Sequence, residues 1–266
     1  MAGDRRPVLF IHGLWLHASS WDPWIQLFED SGYAPVAPGW PGAPDSVEEA
    51  RERPESVAGK GIDDIVGHYA SLIVKLESPP ILVGHSFGGL IAQRLLGEGI
   101  GVGAVAIDAA PIKGVVLLPP SALRVASIGL RNPANRHRAI SLSPGQFHYG
   151  FANTLPHQEV AALYQKWTVP SPGKPLFEAA AANLARHSPA QVATDNDHRG
   201  PLLLIAGGKD HTVPAAITKQ THKLYRKSSA VTNYHEFPDR GHSLCVDHGW
   251  REIADQSLAW LKTQSL

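Results

Sequence analysis

A single cysteine, Cys245, stands in a chain of 266 residues, so no internal disulfide can close and no cysteine-rich zinc site or secreted disulfide scaffold can be built. Such a lone thiol reads as a small buried apolar residue. Neither charge sign is in excess: Lys+Arg and Asp+Glu balance at 24 each. That gives no electrostatic reason to expect nucleic acid, an anionic membrane or a polyanionic substrate as partner. Long apolar runs are missing as well. None reaches the roughly 18 residues a membrane span requires, and MAGDRRPVLFIHG lacks the apolar segment and small-residue cleavage site of a signal peptide. The expectation is a cytoplasmic protein without membrane insertion. Among 14 histidines no pair forms H-x-x-x-H with an acidic third ligand, so no metal is expected. Gly97, Gly99, Gly101 and Gly103 follow a helix-like run instead of joining a strand to one. A dinucleotide fingerprint therefore lacks its context, and no nucleotide cofactor is expected.

What is present has a rhythm. Apolar runs rich in β-formers alternate with amphipathic stretches: PVLFIHG, SSWDPWIQLFEDSG, YAPVAPGW, IDDIVGHYASLIVKLE, PPILVGHS, LIAQRLLGEG and VGAVAIDAA. Strands this continuously apolar are buried on both faces. The pattern implies an α/β fold, a mostly parallel central sheet with helices on both faces. From Pro111 to Arg199 the rhythm breaks into Pro-punctuated helical segments, then resumes with PLLLIAGGKD, VPAAITKQTHKLYRKS, TNYHEFPD and WREIADQSLAWLKTQ. The division expected is a core of residues 1–110 and 200–266, carrying a helical insertion over 111–199. The polar stretch from Pro41 to Gly61 reads as an exposed loop, with EEARERPE a solvated face.

The chemistry lies where strands end. Gly84-His85-Ser86-Phe87-Gly88 fits G-x-S-x-G, a sharp strand-to-helix turn that lifts a serine nucleophile above a sheet. Its glycines sit where neighbouring elements would leave no room for a Cβ. As a plain Gly/Ser helix cap the same five residues carry little information. Context discriminates. A serine needs a base and the base needs an orienting group. His242 in DRGHS follows the last strand-like run, and Asp210 in GGKDHTVP follows PLLLIAGG. Asp108, ending VGAVAID, is a rival for the acid, since it too ends a strand.

His12-Gly13 after the first strand, Gly84 to Gly89, Asp210 and Gly241-His242 occur in one order over nearly the whole chain. In this the chain resembles the α/β-hydrolase superfamily, of serine esterase and lipase type. The resemblance implies a helical cap inserted after the sixth strand position. It implies that two N-terminal strands common in the family are missing. It further implies an oxyanion hole made by the backbone amides of Leu14 and Phe87, and the acid at Asp210 with Asp108 as alternative. His85 would support the turn and His12 the oxyanion loop, while His211 has no assigned role.

The function expected is a serine hydrolase cleaving a carboxylic ester, thioester or lactone through an acyl-enzyme on Ser86, with a small, apolar substrate set by the insertion. No nucleic-acid partner is expected, and the sequence leaves the oligomeric state open. Two alternatives stay open. HGLWLHASSWDPW loosely resembles the matching region of plant esterases and hydroxynitrile lyases, so the same triad could serve a cofactor-free lyase or a perhydrolase. A lyase would need a cation over the substrate, with Lys166 and Lys174 as candidates. The other alternative is a catalytically silent ligand-binding protein on the same fold.

Overall fold

The computed structural model describes residues 5–266; residues 1–4, at the head of the N-terminal stretch read above, lie outside the described residues. The first half runs β1 (Pro7–Ile11), α1 (Asp22–Asp30), β2 (Ala34–Val36), α2 (Val47–Glu52), α3 (Ile62–Ile73), β3 (Ile81–His85), α4 (Phe87–Gly97) and β4 (Gly103–Ile107). Next come α5 (Pro120–Leu130), β5 (Ala139–Ile140), α6 (Pro144–Gly150), α7 (His157–Trp167), β6 (Ser171–Pro172) and α8 (Lys174–Ala180). The chain closes with β7 (Leu202–Gly207), α9 (Ala215–Leu224), β8 (Thr232–Phe237) and α10 (Trp250–Thr263).

Six strands form one sheet in the order β2-β1-β3-β4-β7-β8, and every neighbouring pair is parallel. β1, β3, β4 and β7 are buried along their whole length, because helices cover both faces. β8, at an edge, is only half-buried. The element order and the parallel sheet match the fold read from the alternation of apolar runs. No strand precedes β1 among the described residues, and the long insertion follows β4. Besides helices it contains one antiparallel ribbon, β5 with β6.

Parallel strands deliver all their carboxyl ends to one rim. Gly13 follows β1, Ser86 follows β3, Asp108 follows β4, Asp210 follows β7 and His242 follows β8. Beneath that rim Phe10, Trp21, Trp24 and Phe28 pack edge-on and tilted, with centroids 5.0 to 6.1 Å apart between Phe10 and the other three. Trp24 also donates its indole N–H to the Cys245 carbonyl at 2.8 Å, tying α1 to the loop that carries His242.

One segment differs from its sequence reading. Residues 41–61 are no open loop: they contain α2 and a 3-10 turn, with Val47, Ala50 and Val57 buried. Ser46 caps α2 by accepting from the Glu49 amide at 3.1 Å. Arg51 leaves the charged cluster to donate to the carbonyls of Tyr164 and Gln165 in the last turn of α7 and of Thr168 just past its end. Those contacts order a stretch whose polarity alone predicts solvation.

Candidate active site

Ser86 occupies the turn between β3 and α4 with φ 54° and ψ −121°, a backbone conformation costly for a residue with a Cβ. The surroundings hold it there. Ser86 N donates to Ile107 O at 2.9 Å, and Ser86 O accepts from the amides of Gly89 and Ala110, both at 2.9 Å. The flanking glycines are required by space. A Cβ at Gly84 would run into the Gly88 carbonyl, and one at Gly88 into the carbonyl of Ile11. Side chains here would push β3, α4 and β1 apart.

The loop after β1 meets the serine from the other side. A Cβ on Gly13 would fall 2.7 Å from Ser86 Cβ, so the backbone of 13–14 lies against the nucleophile turn. His12 fixes this loop. Its Nε2 accepts from the Trp40 amide at 3.3 Å, leaving Nδ1 to donate to Gly13 O at 2.8 Å, and its ring stacks on Trp40. Burial holds the His12 imidazole down at a pKa of about 4, so it stays neutral. Further along, Trp15, at φ 65°, donates its amide to Ser171 Oγ at 2.6 Å and its indole N–H to Ile140 O at 3.0 Å. His17 N bonds Trp167 O, and Val169 N bonds Trp15 O. Residues 15–17 are thereby stitched to 167–171 of the insertion.

His242 and Asp210 are both fully buried, and Nδ1 of the histidine stands 2.6 Å from Oδ2 of the aspartate. Asp210 Oδ1 accepts the amides of Thr212 and Val213 at 2.6 and 2.9 Å, so both carboxylate oxygens have donors. His242 Nε2 is buried without a protein partner. Behind it, His85 Nε2 donates to the His242 carbonyl at 2.9 Å, and burial holds the His85 imidazole well below its usual range, keeping it neutral. The His242 loop is locked from below: Ser243 Oγ donates to Asp247 Oδ2 at 2.9 Å, and Arg240 pairs with the same carboxylate.

Asp108 is also fully buried at the rim, but its Oδ2 is 3.9 Å from His242 Nδ1, beyond hydrogen-bond distance. Its Oδ1 accepts from the Gly207 amide at 2.7 Å. His85, Asp108 and His242 place ligand-type atoms within 4.8 Å of one another. Nδ1 of His242 is already taken by Asp210, so the donor set suits proton chemistry better than a metal.

Phe151, from the segment 111–199, reaches these residues. The Phe151 ring meets His242 edge-on at 4.7 Å and Trp15 at 6.0 Å. Ser86 is only 4% exposed. Phe147, Leu163 and Trp167 are buried in the same core cluster, so the apolar residues of FHYGF and LYQKW pack inward. A cleft of about 600 Å³ opens beside Asp210, between Pro119, Ser121 and Asn153 of the insertion and Lys209 and His211 of the core; Ser86 does not line it. His211 Nδ1 donates to the Tyr149 carbonyl, 2.9 Å away, fastening the loop of Asp210 to α6. Neither candidate lysine approaches the serine: Lys166 lies over the Trp167 ring on the surface, and Lys174 pairs with Asp64 and Glu178.

Sequence reasoning had no means of finding Trp40, Phe151 or Ser171, which reach the site from positions distant in sequence and match no motif.

A family model for the α/β hydrolases matches residues 8–256, and the chain belongs to that family. No curated protein matches it by sequence. Among solved structures, a monoacylglycerol lipase from Paleococcus ferrophilus superposes with a TM-score of 0.66 at 19% identity, over 97% of this chain and 94% of that one. An extracellular α/β-hydrolase from Paenibacillus, described as sharing structural and functional homology with tobacco salicylic acid binding protein 2, gives 0.70 at 19% identity over 96% and 98%. A methylesterase from Arabidopsis gives 0.66 at 17% identity over 97% and 99%. At these identities the likeness is one of fold. No described helix is long and apolar enough to cross a membrane.

Proposed function

We propose that the chain is a serine hydrolase that cleaves a carboxylic ester, thioester or lactone by way of an acyl-enzyme on Ser86. The observation that carries this reading is the buried His242–Asp210 pair at 2.6 Å, on the same sheet rim as a serine held at φ 54°. In the cycle His242 Nε2 takes the Ser86 proton as Oγ bonds to the substrate carbonyl carbon. The oxygen, now negative, is held by the Leu14 and Phe87 amides. His242 then gives its proton to the departing alkoxide, thiolate or ring oxygen, and water repeats the sequence to free the acid. Asp210 fixes the tautomer with the proton on Nδ1 and stabilises the cation formed in each transition state.

Segment 111–199 acts as the cap and sets specificity, since Phe151 meets His242 edge-on and Phe147 stacks on Phe151. The lipase and methylesterase among the structural neighbours act on esters, in keeping with that pocket. Lys166 and Lys174 are both engaged elsewhere, so neither of these two candidates supplies the cation that lyase chemistry would need.

The test is labelling by a fluorophosphonate together with turnover of p-nitrophenyl esters from acetate to long chain and of a few lactones. Wild type should label and turn over at least one of them. Ser86→Ala should do neither while keeping its circular dichroism and melting temperature. Residual turnover above about one part in a thousand in that variant would remove Ser86 as nucleophile.

A further inference from the structure

Two carboxyl groups lie behind the His242 imidazole. Asp210 Oδ2 is 2.6 Å and Asp108 Oδ2 3.9 Å from the same Nδ1, and all three side chains are fully buried. The chain serves the two acids unequally. Asp210 gathers three donors, the Thr212 and Val213 amides and His242. Asp108 receives one, the Gly207 amide, and its Oδ2 is buried with no partner at all. A bare ionised oxygen that is fully buried beside a second carboxylate is unfavourable twice over, through desolvation and through like-charge repulsion. A proton on Oδ2 removes both penalties: the charge disappears, and the O–H gains the neighbouring carboxylate as acceptor.

We propose that Asp108 is a positioning residue that keeps its proton and donates it as a hydrogen bond to Asp210, steering that carboxylate onto His242 while leaving one negative charge behind the imidazole. The proposal rests on the reading of Asp210 and His242 as the acid–base pair. Its consequence is kinetic. Two anions behind His242 would favour the imidazolium and withdraw the base from use, whereas one anion with a neutral donor orients the ring and leaves it free to accept the serine proton.

The surroundings agree. Burial, and next the charge of Asp210, push the Asp108 carboxyl well above the usual carboxylate range, with the Gly207 amide only partly offsetting them. Apart from His242 itself, the groups that face it supply no cation to reverse this: His85 is held neutral by burial, and burial pushes both the Cys245 thiol and the Tyr234 phenol up. The backbone also marks the position. Asp108 sits at φ 42°, a left-handed conformation that costs energy in any residue with a Cβ but least in Asp and Asn.

That same φ supplies clean variants. Asp108→Asn fits the backbone, keeps an oxygen for Gly207 and an N–H for Asp210, and cannot ionise. Asp108→Gly removes the donor without backbone strain. The experiment is the pH profile of kcat/KM for wild type and both variants on one activated ester, with difference infrared spectra of wild type minus Asp108→Asn. For Asp108→Asn, kcat should stay within about threefold of wild type, every hydrogen bond being kept, and the acid limb should not move. For Asp108→Gly, kcat should fall about tenfold or more and the limb move to higher pH, as Asp210 becomes a less shielded anion. The infrared difference should contain the C=O stretch of a protonated carboxyl group. An acid limb displaced by a unit or more to lower pH in Asp108→Asn would mean that a negative charge had been removed, and would overturn the proposal. So would an absent protonated-carboxyl band, or an Asp108→Gly enzyme with the wild-type profile. The infrared arm needs no turnover, so a chain that hydrolysed nothing would sink the proposed function and still leave the protonation of Asp108 decided.

Discussion

Asp210 uses both oxygens of its carboxylate, one on two backbone amides and one on His242, so its orientation is set before any substrate arrives. Replacing it by asparagine keeps the shape but offers His242 Nδ1 an amide, which neither enforces the same tautomer nor stabilises the cation formed in the transition state. Asp210→Asn should therefore lower kcat on the order of a thousandfold with KM little changed, because the lost interaction strengthens mainly in the transition state. Asp108→Asn should keep kcat within about threefold of wild type. Steady-state kinetics of both variants on one ester check the ranking, and the reverse order would move the acid to Asp108. At this scale the sequence was informative where residues carry a motif. Ser86, Asp210 and His242 could be picked out because each follows a strand and their order is that of the family. The sequence also left Asp108 and Asp210 as rivals, and the reason is now physical: both reach the same imidazole nitrogen, and only 1.3 Å of distance separates their claims, 2.6 against 3.9 Å. The supports supplied by Trp40, Ser171 and Phe151 were illegible, since their partners lie some 28 to 156 residues away or belong to another element.

Elements set where those residues point. The loop from β8 to α10 carries His242 on a small buried ionic knot: Asp247, fully buried, takes Ser243 Oγ, the Gly249 amide at 3.0 Å and the Arg240 guanidinium, itself 16% exposed. Removing one partner of such a pair leaves the other charge buried and unmatched. Asp247→Ala should cost about 3 kcal/mol or more of stability, read from urea denaturation, and should lower kcat because the loop holding His242 loses its anchor. A variant as stable as wild type would show that Arg240 simply turns to solvent. Element existence was legible in the sequence where periodicity is strong; α5, over Pro120–Leu130, coincides with the stretch PSALRVASIGL. It failed over 41–61. There the acidic, Pro-rich composition conceals α2, whose stability comes from Val47 and Ala50 docking and from Arg51 capping α7. One local signal does mark the helix: Ser46-x-x-Glu49 is the pattern of a capped helix start.

For the whole molecule, the alternating apolar runs specify a parallel sheet, and a parallel sheet brings its six strand ends to one rim; burial of that rim is what shifts its ionisations. These shifts make stability depend on pH with opposite signs. His12 is held at about 4 in the folded protein against 6.5 when unfolded, so between those values the unfolded chain binds the extra proton, and about 3 kcal/mol of stability is lost as pH falls through that window. His85, held well below its usual range, acts in the same direction. Asp108 acts in the other. Its folded carboxyl keeps a proton that the unfolded chain releases above the ordinary value of 3.8, so its cost appears as pH rises past that point and grows towards neutrality. A protein that tolerates this cost is giving up stability at the place where the proposed chemistry needs a neutral donor. Asp108→Asn, which has no proton to keep, should be free of it. Urea titrations at intervals from pH 4 to pH 8 should therefore find Asp108→Asn more stable than wild type at pH 7, with an unchanged m-value and a gap that closes towards pH 4. A gap of constant size would assign the effect to packing, and a variant less stable at pH 7 would mean that Asp108 is charged in the folded protein and favourably paired there.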